Sequence, residues 1–106
     1  MEFLTKKLIL IVFAFFSFSG MAQINQEALE AAFAKSYQHE KTGDFSAAAD
    51  DIKKILDDSS YEMNLRLGWL NYNAGLFDES IIFYSTAQKL KPYSEEARFG
   101  LILPLA

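Results

Sequence analysis

Apolar residues recur at every third or fourth position of the chain after residue 24, a spacing that is typical of amphipathic helices. A first helix is expected over residues 24–42 and ends at Gly43, because glycine lets the backbone turn where a helix stops. One face of this helix consists of Leu29, Ala32, Phe33, Ser36 and Tyr37. A second helix has the clearest apolar stripe, which consists of Phe45, Ala48, Ala49, Ile52, Ile55 and Leu56. Its charged residues are expected on the opposite, solvated face, namely Asp50, Asp51, Lys53, Lys54, Asp57 and Asp58.

The next segment, residues 61–74, is ambiguous when it is considered alone. Its first large apolar residues alternate with other residues, as in a strand: Tyr61, Met63, Leu65, Leu67 and Trp69. Leu70, Tyr72 and the length of the segment favour a helix instead. A second stop at Gly75 precedes another helical stripe, which consists of Phe77, Ile81, Tyr84, Ala87 and Leu90. This helix is expected to end at Pro92, and Ser94 then has the chemistry of an N-cap for a new helix.

The two glycines that end helices are 32 residues apart, and each is followed by one residue and then a phenylalanine. When Gly43 is aligned with Gly75, further positions coincide: Phe33 with Leu65, Ser36 with Gly68, Tyr37 with Trp69, and Ile52 with Tyr84. A repeat of this length indicates stacked helical hairpins. It also favours a helix for residues 61–74, because the aligned segment of the first half is predicted to be helical.

The second unit, residues 61–94, resembles a complete tetratricopeptide repeat. The residues that carry the resemblance are Leu67, Gly68, Tyr72, Gly75, Phe77, Tyr84, Ala87 and Pro92. The unit departs from the family pattern at Asn64, where a large apolar residue is usual, and at Ser80, where alanine is usual. The first unit lacks the proline but keeps Ser36, Gly43, Phe45, Ala48 and Ile52.

The resemblance implies an all-α fold in which antiparallel helical hairpins stack as a short α-solenoid similar to tetratricopeptide arrays. The helical repeat domain is expected to cover residues 23–106, with units at about 27–60 and 61–94 and an incomplete third unit at 95–106. Such arrays usually need about three repeats and a polar capping helix. The run 101–105 is too apolar to be such a cap. We therefore expect either that further repeats follow in a longer protein, which is our preferred interpretation, or that the last helix packs on a partner or a second copy.

The first 22 residues have the pattern of a secretory signal peptide. Lys6 and Lys7 precede an apolar run over residues 8–18, and small residues follow it up to Ala22. Cleavage is expected between Ala22 and Gln23, and the domain is expected to be periplasmic or secreted. The run has 11 residues, fewer than the roughly 20 that span a bilayer as a helix. An uncleaved signal anchor is the alternative.

Composition excludes several kinds of chemistry. The chain has no cysteine, which excludes disulfides, thiolate metal sites and cysteine nucleophiles. Its net charge is −4, and nucleic-acid binding needs clustered cations that the sequence lacks. His39 is the single histidine and is expected to be a surface residue near a helix end. Adjacent acidic residues such as Asp50 and Asp51 do not face each other on a helix, so they predict no acid–base pair. We therefore expect no catalytic residues, metal or cofactor.

The tetratricopeptide resemblance implies a concave groove that binds peptides and is lined by the first helix of each hairpin. The matching residues are Phe33 and Tyr37 in the first unit, Leu65, Trp69, Tyr72 and Asn73 in the second with Glu62 nearer the edge, and Phe99 in the third. The alternative is that this stripe packs against the N-terminal segment or further repeats. Glu62 and Leu65 occupy positions where a cationic clamp for a peptide carboxylate would need basic residues, so that mode of binding is disfavoured.

The function that we expect is a non-catalytic scaffold or adaptor for protein–protein interaction in the cell envelope. A segment of a protein or peptide partner would be buried in the groove, with Trp69 and Tyr72 at its centre. The alternative is the N-terminal sensor or ligand-binding region of a longer membrane signalling protein. Sequence after residue 106 would separate the two, because more hairpins favour the scaffold and an apolar span with a new domain favours the sensor.

Overall fold

The computed structural model describes residues 26–106, and these residues form helices with no strand among them. Residues 26–41 are helical and are called α1, and four further helices follow: α2 (Phe45–Lys53), α3 (Tyr61–Asn73), α4 (Phe77–Leu90) and α5 (Glu95–Leu105). The all-α prediction is therefore confirmed, including a helix in the ambiguous segment. The predicted signal peptide and its cleavage point at Ala22 and Gln23 lie outside the described residues.

Residues 26–31 belong to one compact unit and residues 32–106 form a second, and the account below concerns the second. Within residues 26–106, none of the helices is both long and apolar enough to cross a membrane. In the second unit, α3 lies against three other helices, α2, α4 and α5, so it forms the centre of the packing.

The same turn follows α1 and α3. Gly43 and Gly75 both have a φ of +79°, a left-handed conformation that glycine adopts without strain. The backbone N–H of Asp44 donates to the carbonyl of His39 over 2.9 Å, and that of Leu76 donates to Asn71 over 2.8 Å. These are the long bonds of a Schellman cap, which reverses the chain after a helix. The glycine stops predicted from the sequence are confirmed.

An interhelical hydrogen bond also repeats at the 32-residue spacing. In the first hairpin, the Ser36 hydroxyl on α1 donates to the carbonyl of Ala48 on α2 over 2.8 Å. In the second hairpin, the Ser80 hydroxyl on α4 donates to the carbonyl of Gly68 on α3 over 2.6 Å. The two bonds join aligned pairs of positions, but the donor is on the first helix of the first hairpin and on the second helix of the second hairpin. The second bond gives Ser80 a structural role in the contact between α3 and α4.

A tyrosine ring joins three helices. Tyr84 of α4 is only 3% exposed, and its ring lies between Gly68 of α3 and Gly100 of α5. A Cβ atom at Gly68 would lie 2.7 Å from Cγ of this ring, and one at Gly100 would overlap with its far end. The helices can approach this closely only because both positions lack a side chain. The core around this contact consists of Ala48, Ala49, Ile52, Met63, Leu67, Leu70, Ala87 and Ala97.

Two expectations about α2 are wrong. The helix ends at Lys53 rather than near Leu56, because the next backbone bonds, such as Ile55 N–H to the Ile52 carbonyl over 3.1 Å, tighten to a three-residue spacing. Asp51, expected on the solvated face, is only 5% exposed. Its Oδ2 lies 2.6 Å from Nδ1 of His39, which is 34% exposed near the end of α1 and is the partner of this buried carboxyl group.

Candidate binding groove

An apolar groove of about 800 Å³ lies between α3 and α5, with Tyr84 of α4 contributing to its lining. The residues that line it are Tyr61, Glu62, Leu65, Arg66 and Trp69 from α3, Tyr84 from α4, and Glu96, Phe99, Gly100, Ile102 and Leu103 from α5. On each helix these residues recur at three-to-four spacing, so a single face of each helix forms each wall. The groove is therefore a product of two helical faces that the core leaves uncovered.

The beginnings of α3 and α5 are held together at one end of the groove. The Ser60 hydroxyl caps α3 by accepting from the backbone N–H of Met63 over 3.2 Å. Ser94 precedes α5, but its hydroxyl makes no such cap and is instead hydrogen-bonded to the Tyr61 hydroxyl. Because Gly68 and Gly100 also meet across Tyr84, the two helices run side by side in the same direction.

The walls expose large apolar side chains to solvent. Trp69 is 39% exposed, and its ring packs edge-on against Phe45, with 5.8 Å between ring centroids. On α5, Phe99 is 62% exposed, and Ile102 and Leu103 are also exposed. Contiguous exposed apolar surface of this kind commonly marks an interaction site in soluble proteins. Burial of these side chains by a ligand would be favourable, since it removes apolar area from water.

Arg66 lines the groove, but its guanidinium is hydrogen-bonded to side chains of α1. Its guanidinium donates to Oε1 of Glu40 over 3.1 Å and to the Ser36 hydroxyl over 3.0 and 3.3 Å. It also stacks on Tyr37, with Cζ 4.1 Å from the ring centroid. Because Arg66 is paired with a carboxylate and fixed by these bonds, it adds little net positive charge to the groove.

The two carboxylates of the groove are more exposed than Arg66 and are fixed by fewer contacts. Glu96 is exposed at the start of α5. Glu62 is exposed at the start of α3, and its Oε1 lies 3.8 Å from Nζ of Lys91, which itself lies 4.5 Å from the centroid of the Tyr61 ring. Such an exposed pair contributes little to stability and leaves both groups accessible. The end of the groove where α3 and α5 begin is therefore acidic.

Tyr84 brings one polar group to the apolar lining. Burial raises the pKa of Tyr84 to about 12, with a smaller contribution from Tyr72, so its hydroxyl remains a neutral donor at neutral pH. None of the side-chain hydrogen bonds within residues 26–106 involves this hydroxyl, and the fully buried side-chain atom without a partner there is instead Oδ1 of Asn71. The Tyr84 hydroxyl is therefore available to a polar group of a molecule bound in the groove.

The structure brings together only some of the residues predicted to form the groove. Glu62, Leu65, Trp69 and Phe99 all line it. Phe33 and Tyr37 contact each other, with 6.4 Å between ring centroids, and Tyr37 also stacks on Arg66, but neither ring lines the groove.

Two further predicted residues lie toward the end of α3. Tyr72 packs against Phe77 next to the α3–α4 turn, with 5.6 Å between ring centroids. Asn73 is exposed, and its side-chain amide donates to the backbone carbonyl of Trp69 over 2.8 Å. Neither side chain lines the groove.

Sequence reasoning missed seven lining residues: Tyr61, Arg66, Tyr84, Glu96, Gly100, Ile102 and Leu103. For three of them the signal was helical spacing, because Arg66 follows Glu62 by four positions and Ile102 and Leu103 follow Phe99 by three and four. A search for residues on the same helical face as the aromatic positions would have found all three.

Among residues 26–106, no three histidine, aspartate or glutamate side chains lie close enough to share a metal ion. No protein-family model matches the chain, and no curated protein matches it in sequence.

Proposed function

We propose that this protein is a non-catalytic scaffold or adaptor that binds a segment of a partner protein in the groove between α3 and α5. The observation that carries the proposal is the exposed apolar wall formed by Trp69, Phe99 and Leu103 around a volume of about 800 Å³. Aromatic side chains at such positions are common hot spots of protein interfaces. An amphipathic helix or an extended apolar segment would cover this wall.

The proposal includes a tetratricopeptide-like arrangement of the hairpins. It is supported by the two equivalent glycine turns and by the hydrogen bonds of Ser36 and Ser80 at equivalent positions. The groove also lies between α3 and α5, the first helices of the predicted second and third units, where the family resemblance predicts a peptide site. The leader pattern of residues 1–22 supports export, and we propose that the partner is met in the cell envelope.

A second candidate is the ligand-binding region of a longer membrane signalling protein. The observation that favours it is the volume of the groove, which lies in the range of about 300–1,000 Å³ that is typical of small-molecule sites. The size of the ligand distinguishes the two candidates. A small apolar ligand would bind in the groove by itself, whereas a protein segment would need the whole length of both walls.

Trp69 provides the test, because it is the single tryptophan of the chain and lies in the groove. A synthetic peptide of about 14 residues with leucines at i, i+3, i+4 and i+7 would form an amphipathic helix of about four turns. Titration with this peptide should shift the Trp69 emission to shorter wavelength in a saturable manner. Phe99→Ala should weaken binding about tenfold, since it removes most of one wall anchor.

Ile82→Ala is the matched control, because Ile82 is also 62% exposed but lies on α4 outside the groove. It should leave the affinity unchanged. A Phe99→Ala protein that retains its helicity and binds the peptide like the unmodified protein would refute the proposal. A response to a small apolar molecule such as 1-anilinonaphthalene-8-sulfonate, with none to the peptide, would favour the second candidate.

A further inference from the structure

The charges in the groove are distributed unevenly along it. Glu62 and Glu96 belong to the first turns of α3 and α5, and the hydrogen bond between Tyr61 and Ser94 places these turns side by side. Arg66, the cation in the lining, is paired with Glu40. Lys91, outside the lining, forms an exposed pair with Glu62, whereas Glu96 makes no salt bridge within residues 26–106. One end of the groove is therefore acidic, while the other end, at Trp69 and Leu103, is apolar.

The second feature is a polar group in an otherwise apolar wall. Tyr84 lines the groove, and none of the side-chain hydrogen bonds within residues 26–106 involves its hydroxyl. A hydroxyl in an apolar wall stabilises a ligand that offers it an acceptor and disfavours one that covers it with hydrocarbon alone. The two features together predict which chemical groups a ligand carries and in which order they lie along the groove.

We propose that the groove recognises an apolar segment of another protein that has lysine or arginine residues at one end and a hydrogen-bond acceptor where the segment crosses Tyr84. The inference rests on the proposed function and adds the chemistry of the partner. The basic end would lie between Glu62 and Glu96, and the apolar part would extend along Leu65, Trp69 and Phe99. Charge complementarity of this kind gives orientation and specificity more than affinity.

The same charges argue against two other occupants. A second copy docked groove to groove would place either the acidic or the apolar end of its own groove against Glu62 and Glu96, and neither end is basic. An anionic lipid surface would be repelled by Glu62 and Glu96. A basic segment is the occupant whose charge is opposite to that of the groove.

The test uses three versions of the leucine peptide that differ only in a terminal pair of residues, Lys-Lys, Gln-Gln or Glu-Glu. The pair is placed at the amino end in one series and at the carboxyl end in another, since either chain direction could place it near Glu62 and Glu96. Titrations follow Trp69 emission of the full chain. In one series, the Lys-Lys peptide should bind about tenfold more tightly than the Glu-Glu peptide at low salt, and the difference should shrink as salt is added.

The double substitution Glu62→Gln and Glu96→Gln should abolish this preference, so that the Lys-Lys, Gln-Gln and Glu-Glu peptides bind the variant with similar affinities. Asp78→Asn is the matched control, because Asp78 is an exposed carboxylate of α4 outside the groove, and it should preserve the preference. Equal binding of all three peptides would overturn the inference but leave the proposed function intact. No binding of any peptide would overturn both.

A second arm tests Tyr84. A peptide with glutamine at a central apolar position, compared with one that has leucine there, should retain more of its affinity for the unmodified protein than for the Tyr84→Phe protein. Phenylalanine keeps the ring between Gly68 and Gly100 and removes only the hydroxyl. The same ratio of affinities in both proteins, with unchanged helicity, would show that the Tyr84 hydroxyl is not part of the site.

Discussion

The contact between His39 and Asp51 shows how one polar pair joins α1 to α2. Asp51 is buried, and in the described part of the chain its carboxyl group contacts one basic side chain, His39, over 2.6 Å. A buried carboxyl group without a partner is costly, so the histidine contributes mainly by preventing that state. The pair therefore adds a second polar contact between α1 and α2, in addition to the hydrogen bond from Ser36 to Ala48.

His39→Ala should lower the free energy of unfolding by about 3 kcal/mol, because it leaves Asp51 buried without its partner. Asp51→Ala combined with His39→Ala should recover part of this loss, since neither polar group then remains alone. Urea unfolding of the two single variants and the double variant measures the coupling. A loss of less than about 0.5 kcal/mol for His39→Ala, as at ordinary surface positions, would contradict this account.

Glycines have two different roles in the helical elements. Gly43 and Gly75 end helices through a positive φ, and a Cβ atom at either position would meet nothing within 4 Å. Gly68 and Gly100 lie inside helices and give space to the Tyr84 ring. Substitution at the first kind strains the backbone, and substitution at the second kind forces helices apart.

Gly75→Ala and Gly100→Ala therefore form a matched pair. Gly75→Ala should lower stability by about 1 kcal/mol through backbone strain and leave peptide binding to the groove unchanged. Gly100→Ala should lower stability by about 2 kcal/mol and also weaken peptide binding, because its Cβ would collide with the Tyr84 ring and force a shift in the lining of the groove. Thermal melting and Trp69 titration of both variants check this, and an unaltered groove in Gly100→Ala would contradict it.

The elements were predictable from the sequence where the signal is local. Helical spacing and glycine turns depend on neighbouring residues, and they correctly placed the hairpin turns at Gly43 and Gly75. The burial of Asp51 was missed because it depends on His39, twelve residues earlier on another helix. The groove was predicted in part, since Trp69 lines it, whereas Tyr37 does not line it and stacks on Arg66, which reaches across to α1. Long side chains that cross between helices leave no local pattern.

Within residues 32–106, Tyr84 contacts two helices besides its own, whereas each hairpin contact described above joins only two helices. It belongs to α4, contacts α3 and α5 at their glycines, and lines the groove between them. Helical arrays are stabilised by contacts between neighbouring elements, so a group shared by three helices couples their unfolding. The protonation of this one hydroxyl should therefore affect the whole unit.

Alkaline unfolding tests this coupling. Burial raises the pKa of Tyr84 from its ordinary value of 10.0 to about 12 in the folded protein. The folded state thus favours the protonated hydroxyl, so the stabilisation is fully present below about pH 10 and is lost as the pH rises through about 12. Urea unfolding across this interval should show a loss of about 2 kcal/mol that is absent from Tyr84→Phe.

The comparison with Tyr84→Phe is needed because lysines and other tyrosines also titrate in alkali, and their effects are common to both proteins. The difference between the two stability curves isolates the Tyr84 hydroxyl. Its loss should coincide with a change in Trp69 emission, since the movement of α5 away from Tyr84 opens the groove. Parallel curves for the two proteins would mean that the hydroxyl ionises without disturbing the contact of α4 with α3 and α5.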